Sequence, residues 1–322
     1  MLTGIRIENF RCFRQLSIEP LKRVNLITGQ NNTGKTCLLE ALTLLLDHAG
    51  GFSEAQARFQ QLSSLFRPHA QGFWPWLFYQ KKAQDQCKFV AALDGVEHQA
   101  WLTPDSPPQA LAASYPSPES YPIGPLVLTR ERAQKRWPAV TVLTTPIFDP
   151  AQTAKDFNQL VLKRRSKQVE ALLKEIEPRL ISLQLLLDPQ NQPVIFAELD
   201  LPEMIPITQM GLGFCRLLHI YTRILAADAQ VVLIDEIENG IHHAILPVVW
   251  KGLADLAARM NVQIFATTHS WECVVAAHEA FAETRDYDFA LHRLERMKDD
   301  IQAFTYDREA LEAALKSALE VR

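Results

Sequence analysis

Apolar residues run almost without interruption through Val24–Ile27, broken only by Asn25, and through Val231–Ile234 and Val262–Ala266. Short runs of this kind predict strands buried on both faces, as in a parallel sheet covered by helices. Elsewhere the pattern alternates. Ile5–Phe10 and Leu16–Ile18 read as strands with one wet face, and Lys88–Leu93 and Val96–Leu102 flank Asp94-Gly95, a two-residue hairpin turn. Val140–Phe148 resumes strand character. Helical spacing appears after residue 36 in Cys37–Leu42, in Phe52–Phe66, and from Gly211 toward Ala229. It also runs over Thr153–Leu187, with apolar Phe157, Leu160, Val161, Val169, Leu172, Leu173 and Ile176 on one stripe and Pro178 dividing it. Asp288–Arg296 and Ile301–Tyr306 predict a closing hairpin, and Asp307 is placed to cap a last helix, Ala310–Leu319.

Together these elements predict an α/β fold: a mixed central sheet with helices, an antiparallel β flank and a short helical insertion. The chain reads as one domain over 1–322, with a β-rich flank at 70–150, a helical insertion at 151–190 and a C-terminal hairpin and helix at 288–322. Prolines and serines dominate Thr103–Pro125, which predicts a surface loop. The aromatic run Phe73–Tyr79 lacks interleaved arginines and reads as packing, with stacking on unpaired bases as the alternative. No internal repeat is visible.

Composition adds mainly exclusions. At 322 residues and a formal charge of −4, the chain has an ample core and no global pull toward nucleic acid or anionic lipid. The sharpest local exception is Lys163, Arg164, Arg165 and Lys167, a solvated helix face or a phosphate-backbone contact. Cys12, Cys37, Cys87, Cys215 and Cys273 are scattered without a C-x-x-C pair, which argues against zinc and a disulfide framework. With no secretory leader pattern and no apolar stretch that spans a bilayer, the expectation is a cytoplasmic protein without membrane insertion.

Chemistry concentrates in a few motifs. Gly29-Gln30-Asn31-Asn32-Thr33-Gly34-Lys35-Thr36 is a complete G-x-x-x-x-G-K-[ST] loop between a strand and a helix. Its glycines let successive N–H groups converge on phosphates at a helix N-terminus; Lys35 would reach the β- and γ-phosphates and Thr36 would place a hydroxyl on Mg²⁺. Val231–Ile234 delivers Asp235 and Glu236 to a sheet edge, the first to order Mg²⁺ and the second to act as general base. Val262–Thr268 ends in His269, a γ-phosphate contact or a packing histidine. Gly211-Leu212-Gly213 opens a helix and so forms a possible anion site.

In that order, over nearly the whole chain, these motifs resemble the ABC-type P-loop ATPases. Ile5–Arg11, Gly211-Leu212-Gly213 with Arg216, Asp235–His242 and Ala266–Ser270 are similar to the OLD-like (overcoming-lysogenisation-defect) group, cousins of chromosome-maintenance and recombination-repair ATPases. The resemblance implies ATP and Mg²⁺ as ligands and a head-to-head homodimer, or higher assembly, with each nucleotide between the phosphate loop of one subunit and Gly211 and Gly213 of the other. It implies Lys35, Glu236 and His269 in catalysis, Thr36 and Asp235 on the metal, and Gly29, Asn31, Asn32, Thr33 and Gly34 on the nucleotide. Arg11 falls near the nucleotide and Glu238–His242 in a dimer-facing loop. Two departures stand out. Met210 precedes Gly211 where the family has a serine, leaving backbone N–H groups, Thr208 or Gln209 for the contact across the dimer. Only Gln60 and Gln61 offer the usual linking glutamine. The roughly fifty residues after His269 are too few for an appended nuclease, and no long coiled coil is present. The expected function is an ATPase controlling a separately encoded effector, possibly a nuclease, or a DNA-bound complex, in anti-phage defence or repair. A nucleotide-gated DNA or RNA clamp and a transporter motor are the alternatives. No N-K-x-D guanine-reading motif is present.

Overall fold

The computed structural model describes residues 1–46, 74–82, 86–104, 119–123, 126–130, 140–143, 148–227, 229–298 and 300–317. The Phe52–Phe66 helix and the candidate glutamines Gln60 and Gln61 lie outside the described residues. In chain order the elements are β1 (Leu2–Phe10), β2 (Phe13–Ile18), β3 (Val24–Thr28), α1 (Lys35–Leu46), β4 (Cys87–Leu93), β5 (Val96–Thr103), β6 (Glu119–Ile123), β7 (Leu126–Arg130) and β8 (Val140–Leu143). There follow α2 (Pro150–Leu162), α3 (Ser166–Lys174), β9 (Ser182–Leu187), β10 (Pro193–Glu198), β11 (Ile205–Pro206), α4 (Leu212–Ala226) and β12 (Val231–Ile234). The last are α5 (Leu246–Arg259), β13 (Gln263–Thr267), α6 (Trp271–Ala282), β14 (Phe289–Met297), β15 (Asp300–Tyr306) and α7 (Arg308–Lys316).

The central sheet runs β15-β14-β3-β13-β12-β8. All neighbours are parallel except the β14–β15 hairpin, so the sheet is mixed. Its buried strands explain the apolar runs: along β12, Val232 and Ile234 enter a core shared with α2–α6, while Val231 and Leu233 enter a second core shared with α1 and the flank. Asn25 interrupts β3 without cost because its amide is fully engaged. It donates to the carbonyls of Lys22 (2.6 Å) and Ile264 (3.3 Å) and accepts from the Lys22 N–H (2.8 Å). His292 on β14 lies 3.1 Å from the same amide oxygen, and burial lowers this imidazole to about 3, keeping it neutral.

The flank is a six-stranded antiparallel sheet in the order β2-β1-β4-β5-β7-β6. The expected hairpin at Asp94-Gly95 joins β4 and β5. Three elements differ from the sequence reading. Within the expected Thr103–Pro125 loop, Glu119–Ile123 forms β6 and pairs with β7. β8 joins the central sheet beside β12 rather than the flank. Helical character ends at Lys174: Ser182–Leu187 is strand β9, paired antiparallel with β10, and the break between the two helices falls at Lys163–Arg165 rather than Pro178. The reason is local. Arg164 takes a left-handed φ of 57°, which ends α2 well before the proline is reached.

In the aromatic run, Leu77 and Phe78 are buried as a packing role requires, whereas Trp76 is half exposed beneath the Lys81 ammonium, 3.5 Å from its ring centre. Asp307 caps α7 by accepting the Ala310 N–H at 2.9 Å. Among the described residues no helix is long and apolar enough to cross a membrane.

Candidate nucleotide site

Three parallel strands, β3, β13 and β12, lie side by side, so their carboxyl ends deliver the loop after β3, the turn after β12 and the end of β13 to one edge. The first is Gly29–Thr36. Gly34 has φ 91°, and a Cβ there would meet the Cys12 sulfur and the Phe13 ring at 2.7 Å, so the turn into α1 accepts glycine alone. Thr33 is buried, its hydroxyl donating to the Gln30 carbonyl at 2.8 Å, while Asn31 and Asn32 are exposed. The Lys35 ammonium folds back to donate to the carbonyls of Gly29 (2.6 Å) and Gln30 (3.0 Å). Burial lowers its pKa, and Asp235, Glu236 and Glu238 pull it back up. From β14, Arg296 braces the loop by donating to the Asn32 carbonyl at 2.9 Å.

The second component is the turn after β12. Asp235 Oδ2 accepts from the Thr36 hydroxyl at 3.3 Å, and Oδ1 accepts from the Thr267 hydroxyl at 2.6 Å. Burial pushes this carboxyl up, against both hydroxyls and Lys35. A hydroxyl and a carboxylate oxygen brought together suit a hard divalent cation. Glu236 takes a left-handed φ of 47°, strained for a side chain with a Cβ. The strain is held by its surroundings: the Glu236 N–H donates to the Thr267 hydroxyl at 2.7 Å, and Arg216 donates to the carbonyls of Asp235 (3.0 Å) and Glu236 (2.6 Å).

Arg216 belongs to α4, so the glycine-opened helix and the Asp-Glu turn are joined within one protomer. Gly213 completes the joint: a Cβ there would stand 2.6 Å from the Gly240 carbonyl. Gly211, with φ 89°, and Leu212 face outward, exposed, as do Thr208 and Gln209. Met210 is instead half-buried against the larger core. The third component is His269, whose Nδ1 lies 3.1 Å from Glu238 Oε1.

Over residues 24–274 the chain matches the family model described as "AAA domain, putative AbiEii toxin, Type IV TA system". The chain belongs to this AAA family. It is 25% identical to an ATP/GTP phosphatase of Helicobacter pylori, an alignment covering 90% of each chain. A shorter stretch, 13% of the chain, is 44% identical to the DNA replication and repair protein RecF of Idiomarina loihiensis. Among solved structures, an Smc head bound to the C-winged helix domain of ScpA covers 98% of this chain and 99% of its own at TM-score 0.59 and 13% identity. An SMC head from Thermotoga maritima gives TM-score 0.52 at 11% identity. The fold is therefore that of SMC-head ATPase domains, and the chain is a P-loop ATPase of AAA type.

Of the residues picked from the sequence of this AAA protein, Lys35, Thr36, Asp235 and Glu236 come together. Arg11 forms a buried two-point pair with Glu40 on α1, Nε to Oε2 at 2.6 Å and Nη2 to Oε1 at 3.0 Å. Thr267, Glu40 and the clamp made by Arg216 escaped sequence reading. A threonine ending a buried strand beside an Asp-Glu strand was the available signal for the first; the other two have none.

The Arg11–Glu40 pair gives a pH-dependent expectation. Burial, the larger influence, raises the Glu40 carboxyl from 4.5 to about 8, and Arg11 opposes it. Between those values the folded state keeps a proton that the unfolded state releases. The contribution is thus complete below the lower value and is lost as pH rises through the higher one. Arg11→Met removes the opposing charge, so Glu40 stays protonated further and stability keeps falling above about pH 8, at about 1.4 kcal/mol per pH unit. Chemical denaturation should show the stability of the variant still falling above about pH 8, where the fall due to Glu40 in wild type levels off. Adding Glu40→Gln should remove that extra slope, and equal slopes in Arg11→Met and wild type would refute the assignment.

Proposed function

We propose that this protein binds and hydrolyses ATP as a head-to-head dimer and uses the opening and closing of that dimer to control a separately encoded effector. The observation that carries the reading is the meeting of Lys35, Thr36, Asp235 and Glu236 at one sheet edge, with Thr36 Oγ1 3.3 Å from Asp235 Oδ2. Lys35 exchanges its loop carbonyls for phosphate oxygens, and the N–H groups of the loop and of the first turn of α1 hold the remainder. Thr36 and Asp235 would hold Mg²⁺, which would supply charge neutralisation of the phosphates there. Glu236, fixed by Thr267 and Arg216, accepts the proton of the attacking water.

Dimerisation is supported by the outward-facing helix start. Gly211 and Leu212 are exposed, and the free N–H groups opening α4 suit the γ-phosphate of a second subunit. Because Met210 turns into the core, that contact rests on backbone N–H groups and on the exposed Thr208 and Gln209. Membership of the OLD-like group, an effector with nuclease activity and a role in anti-phage defence or repair complete the reading. The Smc head bound to part of ScpA is a precedent for such a domain working through a second protein.

Sedimentation of Glu236→Gln with ATP and Mg²⁺ tests the dimer. A shift from monomer to dimer that reverses on ATP removal is expected. A variant that remains monomeric while saturated with ATP would overturn the sandwich.

A further inference from the structure

The resemblance to ABC-type ATPases turns Glu238–His242 toward a second subunit, but in this fold Glu238 points inward. Its side chain is 10% exposed, and Oε1 accepts the His269 backbone N–H at 2.9 Å while lying 3.1 Å from His269 Nδ1. The backbone builds this contact. The Ile237 N–H donates to the Thr267 carbonyl at 3.0 Å, stitching the turn to the end of β13, and the Ile241 N–H closes the turn on the Glu238 carbonyl at 2.9 Å. On the other side, Ser270 caps α6 by accepting the Cys273 N–H at 3.1 Å and donates its own N–H to the Thr268 hydroxyl at 3.0 Å. His269 therefore sits between two fixed segments, with its ring 60% exposed. The second oxygen of Glu238 is buried and has no hydrogen-bond partner among the described residues, so the polar contacts of the carboxyl are made through Oε1 alone.

We propose that Glu238 is a positioning residue for His269, holding the imidazole by Nδ1 so that Nε2 is the nitrogen presented to the terminal phosphate. A ring nitrogen engaged by a carboxylate fixes which nitrogen remains for the ligand. A ring carrying a proton on both nitrogens donates from Nε2 to a phosphate oxygen while its Nδ1–H stays on the carboxylate. Lys35 and Arg216 supply the positive charge that keeps a further carboxylate tolerable beside Asp235 and Glu236. The inference rests on the ATPase reading above for its phosphate, but the Glu238–His269 contact is a property of the protein without nucleotide.

Two measurements separate these layers. In ¹⁵N-histidine-labelled protein, with the His269 signals identified by their loss in His269→Asn, wild type should show Nδ1 protonated. Glu238→Ala should move those signals toward an averaged or Nε2-protonated ring, and Glu238→Gln, which keeps an acceptor oxygen, should stay closer to wild type. Ring signals unchanged in Glu238→Ala would overturn the proposal whether or not the protein hydrolyses ATP. In steady-state phosphate release, Glu238→Ala and His269→Ala should each lower kcat about 10- to 100-fold, with KM within about threefold. The double variant should be no slower than His269→Ala alone, and Glu238→Gln should recover most of the loss. Losses that multiply in the double variant would show Glu238 acting elsewhere. So would a Glu238→Ala defect confined to dimer affinity. Wild type that binds but does not hydrolyse ATP would overturn the functional reading while leaving the ring-nitrogen result to decide the positioning role.

Discussion

Glu236→Gln should lower kcat for ATP hydrolysis by about 100- to 10,000-fold while ATP affinity stays within about threefold, as expected if Glu236 is the proposed general base. The amide has nearly the shape of the carboxylate and cannot take the proton. The left-handed backbone at this position is held from outside the side chain, by Thr267 on β13 and by Arg216 on α4, so the variant keeps the turn. On the proposed reading, the same substitution would therefore accumulate an ATP-bound dimer. Single-turnover phosphate release together with fluorescent-nucleotide titration makes the measurement, and a kcat within threefold of wild type removes Glu236 from the base role.

Lys35→Ala should weaken ATP binding by about 3–4 kcal/mol, roughly 100- to 1000-fold, by removing the proposed charge-assisted bonds to the phosphates. Without nucleotide the ammonium is spent on two loop carbonyls, at 2.6 and 3.0 Å, so its loss costs the free protein little. The variant should melt close to wild type and lose the rise in melting temperature that Mg²⁺ and ATP give wild type. Lys35→Arg should not restore it, since a planar fork does not fit where a compact ammonium reaches between carbonyls. Normal nucleotide stabilisation in Lys35→Ala would move the phosphate site away from this loop.

Where physics acts between near neighbours in sequence, the chain could be read directly. The phosphate loop, the hairpin at Asp94-Gly95 and the Asp307 cap all depend on residues a few positions apart. The buried strands were legible for a related reason: covering both faces of a sheet requires apolar residues at consecutive positions, and little else in a chain does.

What failed was decided at a distance. Ser182–Leu187 has the composition of helix or strand, and its partner Pro193–Glu198 settles the matter through a hydrogen-bonded ladder no local pattern records. Glu119–Ile123 looks like loop until Leu126–Arg130 offers it an edge.

The sequence by itself picked out Lys35, Thr36, Asp235, Glu236 and His269 as candidates and predicted that strand ends would present them. Only the tertiary structure decided what those residues lean on. Thr267 bridges Asp235 and Glu236, Arg216 ties α4 to their carbonyls, Glu40 engages Arg11, and Glu238 turns inward to His269. A charged group's role is set by the few ångströms around it, and in this fold those neighbours come from residues 19 to 32 positions away.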